Sequence, residues 1–387
     1  MNWVTRLPLP SLGPWLISAA LLVTGFIVNS QPAETPAEAC GMPPNPPVPA
    51  DALEITIMAR TDHRDCWHVQ MAVAAAPLVT DYTLGVTTMP LMMNHGPSWA
   101  VMVDATQHGR AADIMVVSGD AWKALRAQGA LVPLDACVTS HPEFANIRPD
   151  AWYGLRSFDH AHVWAVPLAA DTGILFFSKP LLRRLGWSEA QIDALPQRVL
   201  AGNFSQGDMR ALAREAERRG IVRPGFGVWQ GEDNNWTASV PRRDARVSGR
   251  VLFWDWGNRA WGEYLMKLGK PYDLRRLYDT IGYALLPAEH SGLDRVVTHA
   301  GTATFYVLTS DKANGNRHRQ QQACALLAKM MTPEINDRHI AHAGFLSVLT
   351  TQASGMPEAR FGHDIMRMID GVYDQSHSTP DRRALDT

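Results

Sequence analysis

The segment Asp113–Val117, DIMVV, constrains the fold most. An apolar run this short with no polar alternation predicts a strand covered on both faces, as in a parallel sheet layered between helices. A helix is expected directly after it. Asp120 stands at its N-cap, Ala124, Leu125 and Ala127 are its apolar positions, and Gly129 is the stop signal. The same alternation continues along the chain. Leu53–Ile57 alternates apolar and polar residues, as a strand near a sheet edge would, and Val163–Phe177, VWAVPLAADTGILFF, predicts two strands joined through Pro167 and a turn at Ala169–Asp171. Ser205 with Asp208 forms a capping box ahead of Met209, Leu212, Ala213 and Ala216, and Gly220 ends that helix. Thr332-Pro333 opens another helix with Ile335 and Ile340 inward and Gly344 as its stop. Strands alternating with helices predict an α/β protein, and 387 residues are enough for two or three domains.

Composition narrows the function classes. With 46% hydrophobic and 19% charged residues the chain is globular, not disordered. Lys plus Arg is 36 against 38 for Asp plus Glu, so no basic excess offers a nucleic-acid footprint. Four cysteines, none in a Cys-x-x-Cys pair, make neither a disulfide scaffold nor a structural zinc site. The 13 Trp against 8 Tyr suit either a flat, partly apolar ligand or extra core aromatics.

The first fifty residues read as lying outside the fold. Arg6 precedes the apolar run Trp15–Val28, whose length of about 21 Å falls short of the roughly 30 Å membrane core. Residues 1–30 are therefore expected to be an export signal or a marginal membrane anchor. Residues 31–52 form a spacer with seven prolines in Gln31–Ala50, extended by its composition. Ala37-Glu38-Ala39 ahead of Cys40 fits the small-x-small rule for signal cleavage and makes Cys40 a candidate lipidation position, although Leu is absent and Glu38 replaces a small residue. A disulfide with Cys66 and a free thiol are the alternatives for Cys40, and the pairing of Cys66, Cys137 and Cys324 stays open. The expected location is the periplasmic or extracellular face of the cell membrane.

Catalytic signatures are missing. No Gly-x-Ser-x-Gly, Gly-x-x-x-x-Gly-Lys or His-Glu-x-x-His occurs. His63 and His68 are five apart, which does not put two ligands on one helix face, so no metal site is expected there. His290, His299, His339, His342 and His363 are scattered and read as surface or capping residues. No cofactor is implied.

Four segments then carry a resemblance: Gly109–Asp135 (GRAADIMVVSGDAWKALRAQGALVPLD), Val166–Trp187 (VPLAADTGILFFSKPLLRRLGW), Gly249–Asn258 (GRVLFWDWGN), and YALLPAEHSG with FYVLTSDKANGNRHRQQQACALLAKMMTPE. In this order they resemble the extracellular solute-binding proteins of ATP-binding-cassette sugar importers, the group containing maltose- and trehalose-binding proteins. The resemblance covers nearly everything after Leu53. It implies a periplasmic-binding-protein-like fold, two α/β lobes joined by crossing strands that close on a ligand by hinge motion. The crossings fall near Val166–Asp171, Ala284–Pro287 and Met331. Lobe one would be residues 53–167 with 286–331, and lobe two residues 168–285 with 332–387. It further implies a monomeric, non-enzymatic binder of a carbohydrate that delivers it to membrane permease subunits. An exported carbohydrate-active enzyme, or a same-fold binder of a polyamine or metal complex, is the alternative.

A sugar offers hydroxyls, which want carboxylates and amides, and flat C–H faces, which want aromatic rings. Asp62, Ser118 and Asp120 stand in loops or turns after strands, where open α/β sheets bind ligands. The family often has Asp where this chain has Ser118. Asp171 matches its inter-lobe aspartate, with a turn-capping role as the alternative. Trp256 matches a stacking aromatic, and Trp254 either joins it or packs the sheet. Trp236 stands in the GEDNNWT loop. Gly301-Thr302 occupies the place of a Gly-Gly-Trp, so Tyr306 or Phe345 would have to supply the missing aromatic.

Overall fold

The computed structural model describes residues 53–60, 66–79, 82–89, 98–118, 121–152, 162–229, 249–268, 273–290, 296–297, 301–309, 317–351, 353 and 359–378. Two sheets organise them. The first contains β1 (Leu53–Arg60), β2 (Tyr82–Met89), β3 (Ile114–Ser118), β4 (Val166–Asp171), β10 (Gly301–Leu308) and β11 (Leu346–Ser347), in the spatial order β11-β4-β10-β3-β1-β2. The second contains β5 (Gly173–Ser178), β6 (Val228–Trp229), β7 (Phe253–Gly257), β8 (Ile281–Pro287) and β9 (Val296–Val297), in the order β6-β7-β5-β8-β9.

β3 is the covered strand its composition demands. Ile114, Met115, Val116 and Val117 are all buried, with Ile114 and Val116 in one core cluster and Met115 and Val117 in another. β1 pairs in parallel with both β2 and β3, one strand in from the edge, and the helix Cys66–Ala75 makes the crossover that parallel pairing requires.

Val163–Phe177 folds differently from expectation. No turn forms at Ala169–Asp171. β4 runs straight through Pro167 to Asp171, and the chain changes sheet at Thr172. Pro167 is tolerated because β11 pairs only with Ala169 and Ala170, leaving it without a partner on that side, and because the β10 register is bulged nearby. Positions 167/168 and 285/286 therefore fall inside β4 and β8, and Leu346–Ser347 lies in the first sheet.

In the second sheet Ile174, Phe176 and Trp254 face one way, against the helices Arg259–Leu268 and Arg360–Ser378, while Leu175, Phe177 and Phe253 face the other way, against the helices between Lys179 and Arg218. Both faces are buried, so alternation appears as two apolar sets. The helix Gln206–Arg218 starts at the expected capping box, with Ser205 Oγ accepting from Asp208 N–H and the Asp208 carboxylate accepting from Ser205 N–H at 2.8 Å. Met209, Ala213 and Ala216 are buried, and Gly220 ends the run with φ 66°.

The helix Arg317–Met330 is fastened at three points, to Asp113 just before β3, to the helix Asp135–Ser140 and to the turn Pro142–Asn146. Arg319 donates two hydrogen bonds to Asp113, at 2.9 and 2.6 Å, and the same carboxylate accepts from Thr56 N–H and Oγ1. Cys324 is joined to Cys137 across 187 residues, with Cα atoms 5.8 Å apart. Lys329 reaches Glu143 at 2.5 Å. Among the described residues no helix is long and apolar enough to cross a membrane. The export segment, the spacer and Cys40 lie outside the described residues.

Candidate ligand-binding site

β3 and β4 both run antiparallel to β10, and β1 and β2 run parallel to β3. The carboxyl ends of β1, β2, β3 and β4 therefore share one edge with the start of β10. Register places the expected residues along it: Gly301 opposite Asp171, Thr302 opposite Ala170, and Thr304 opposite Ser118. This is the edge at which open α/β sheets take ligands.

The second sheet brings its matching end to the same place. Gly173 opens β5 opposite Gly257, the last residue of β7, with Ile174 opposite both Trp256 and Leu285. The approach is close. A Cβ on Gly173 would lie 2.5 Å from Leu286 Cδ1, and one on Gly257 would lie 3.2 Å from Asp171 Oδ1. The half-buried Asp171 thus sends its carboxylate from the end of one sheet onto the last residue of a strand in the other.

The structure brings together Ser118, Asp171, Trp256, Gly301 and Thr302 by strand register. Asp62, Asp120 and Trp236 lie outside the described residues. Tyr306 pairs with Val116 and Val166, five residues or about 17 Å of strand away from Gly301, so it belongs to the body of the sheet. Two aromatic candidates are corrected by burial. Trp254 is fully buried, stacked 5.9 Å from Phe176, and its Nε1–H donates to Tyr264 Oη at 2.5 Å. It packs the sheet and offers no open face. Phe345 is also buried in the core, although the next residue, Leu346, pairs with Ala170.

Sequence reasoning missed Asn258. Its side chain is wholly buried, with Oδ1 accepting from Thr172 N–H at 2.7 Å and Nδ2 donating to Gly344 O at 2.6 Å. The signal was the Gly257-Asn258 pair directly after an aromatic strand, where an amide side chain stands in for a lost strand partner.

A second polar network lies beneath the junction. Asn336 Nδ2 donates to Leu168 O and Ser347 Oγ donates to Asn336 Oδ1. The adjacent Asp337 is buried, accepts from Ala353 N–H at 2.6 Å, and stands 3.9 Å from His363 Nε2. Burial holds the Asp337 carboxyl above its ordinary range and His363 below its own. His363, expected at the surface, is half-buried beside Asp337.

Elsewhere, a groove of about 680 Å³ lies between the helices Glu189–Asp193 and Leu195–Leu200 and the helix Arg360–Ser378. Its charged groups are all paired, Lys179 on Asp193 and both Arg360 and Arg367 on Asp364, with one positive charge in excess. Among the described residues no three His, Cys, Asp or Glu side chains gather to hold a metal.

No protein-family model matches the chain, and no curated protein matches it in sequence. Solved structures do. The GacH receptor of Streptomyces glaucescens, solved unliganded and with acarbose, is 15% identical with a TM-score of 0.53, over 82% of this chain and 86% of that one. The sugar-binding protein MalE of Xanthomonas citri is 14% identical with a TM-score of 0.55, over 84% and 85%. A chitin oligosaccharide binding protein is 12% identical with a TM-score of 0.51, over 83% and 90%. At these identities the likeness is one of fold, and the chain has the two-lobed α/β fold of these binding proteins.

Proposed function

We propose that the chain is the solute-binding component of an ATP-binding-cassette importer, holding a carbohydrate between two lobes and handing it to a membrane permease. The observation that carries this reading is the step between sheets at Thr172, where strand ends of both sheets meet around Asp171. Such a site takes up a polar solute by wrapping it from two sides, and a carboxylate there accepts sugar hydroxyls. The neighbours of similar fold are described as sugar or oligosaccharide binders, which supports a saccharide over a polyamine or metal complex. The lobes are built on the two sheets. Asp171, Trp256, Ser118 and the Gly301-Thr302 start of β10 contribute to the site, with Asp62, Asp120 and Trp236 from neighbouring loops. The protein acts as a monomeric binder, not an enzyme. It works outside the cytoplasm, led there by residues 1–30 and held off the membrane by the proline spacer, with Cys40 as a lipidation position.

The test is calorimetric titration with a panel of malto-, chito-, manno- and raffinose-type oligosaccharides, beside thermal melts. A true ligand at a hundred times its Kd adds about 2.7 kcal/mol of stability. Saturable binding with the saccharide recovered intact supports the reading. Release of shorter saccharides, or no response to any sugar, overturns it.

A further inference from the structure

From the geometry of its buried amide we infer that Asn258 is a hinge pin, a positioning residue that couples two separate crossings between the lobes. The inference rests on the two-lobe reading above and goes beyond it, because that reading assigns no residue to the movement itself.

β5 and β7 pair from Phe177–Phe253 down to Gly173–Gly257. One step further β7 ends and turns into the helix Arg259–Leu268, so Thr172 would lose its strand partner at the point where the chain changes sheet. Asn258 replaces that partner. Its backbone N–H donates to Thr172 O at 3.1 Å, and its side-chain Oδ1 takes Thr172 N–H at 2.7 Å. Both backbone hydrogen-bonding groups of Thr172 are thereby satisfied by one residue. The remaining end of the amide, Nδ2, donates to the carbonyl of Gly344. Gly344 has φ 76° and ends the helix Pro333–Ala343, and two residues later β11 joins β4. Residues 172 and 344 are far apart in sequence, yet both stand where the chain enters or leaves the first sheet. One buried carboxamide therefore holds two crossings in fixed relation, so that one cannot shift without pulling on the other.

The side chain requirement is narrow. Asp at 258 keeps an acceptor for Thr172 N–H but has no donor for Gly344 O, and Ala keeps neither. An orphaned buried carbonyl or amide is costly, so each variant loosens a different contact. The two variants separate the two arms of the pin.

The experiment measures lobe geometry in the ligand-free protein. Spin labels are carried on ketone-bearing non-natural residues at exposed Gln128 and Ala211, one beside each sheet, and their distance distribution is read by pulsed electron resonance. Amide hydrogen exchange is followed beside it. Asn258→Ala should broaden the distribution and speed exchange at Thr172 by about tenfold or more. Asn258→Asp should keep Thr172 protected while exchange rises at Leu346, downstream of Gly344. Amides within Gln206–Arg218 and Arg317–Met330 should be unchanged in both. A general loss of stability would instead raise exchange everywhere, which overturns the pin. An unchanged distance distribution in a folded variant also overturns it. Should Asn258→Ala fail to fold, Asn258→Asp carries the same decision. No sugar enters these measurements, so failure to bind sugar would sink the function proposed above and leave this result standing.

Discussion

The helix Arg317–Met330 and the junction at Thr172 are secured in opposite ways. The helix is held by a disulfide to the helix Asp135–Ser140, by a pair between Arg319 and the buried Asp113, and by a Lys–Glu pair to the turn Pro142–Asn146, contacts that are strong and hard to shift. The junction is held by backbone hydrogen bonds and one amide side chain, with glycines letting the strands touch. A protein that must close on a solute needs bodies that keep their shape and a connection that does not. The contrast sets covalent and ionic fastening in the lobe against a hydrogen-bonded pin at the crossing. It also implies that changes to the lobe should alter stability, whereas changes at the junction should alter binding.

The largest departure is expected from the lobe. Replacing both Cys137 and Cys324 by Ser releases a loop closed across 187 residues, and the chain-entropy argument puts the loss on the order of 5 kcal/mol. Denaturant unfolding against the parent protein measures it. A loss below about 1 kcal/mol would mean that the ion pairs alone hold the helix, and the contrast would weaken. Trp254→Ala follows, with an expected loss of about 3–5 kcal/mol, because it removes a fully buried ring and its hydrogen bond to the Tyr264 hydroxyl. Full stability with weakened ligand binding would return Trp254 to the site.

How far the sequence carried these features depended on how local their causes are. DIMVV announces β3 because covering both faces needs only apolar neighbours along the strand, and Ser205 with Asp208 announces a helix start because its hydrogen bonds span three residues. The register that sets Gly301 opposite Asp171 spans 130 residues, and no local pattern encodes it. Resemblance supplied Asp171 there. Of the two readings of Trp254, burial decides for sheet packing, because alternation in a strand covered on both faces does not say whether a ring is open or enclosed. Asn258 goes unassigned and His363 reads as surface for a related reason: a polar residue looks exposed until the distant neighbours that cover it are known.

At the junction the expected effect is smaller in stability and larger in affinity. Asp171→Ala should weaken saccharide binding by about tenfold or more, since a hydrogen bond to a charged group contributes about 1.5–3 kcal/mol. Gly257→Ala places a methyl 3.2 Å from Asp171 Oδ1, so it should push the carboxylate aside and weaken binding in the same direction while leaving the residue itself in place. Melting temperatures without ligand should stay close to the parent value. Unchanged affinity in both variants, beside a lowered melting temperature, would make Asp171 a structural cap and erase the division between lobe and junction.

The smallest effect concerns pH, and it probes the network beneath the crossing. Burial raises the Asp337 carboxyl, so the folded protein holds that proton more tightly than the unfolded chain does; its contribution is full below pH 3.8 and is lost as pH rises through the folded value. Burial lowers His363, chiefly against the pull of Asp337, and its contribution runs the other way: full above pH 6.5 and lost as pH falls through the folded value. Asp364 favours the charged imidazole and Arg367 disfavours it, so they partly cancel. Between pH 3.8 and 6.5 the two slopes oppose, and the parent protein should show a shallow profile. Asn at 337 preserves an acceptor for Ala353 N–H while removing the carboxyl, which leaves His363 alone to set the slope. The melting temperature of Asp337→Asn, relative to the parent, should therefore rise from pH 4.5 to pH 7.5, by about 2 °C. His363→Gln should fall relative to the parent as pH rises from below His363's folded value to above 6.5. Parallel profiles for the parent and both variants would show that the pair titrates alike in the folded and unfolded chain, and the network under the junction would then be indifferent to protons.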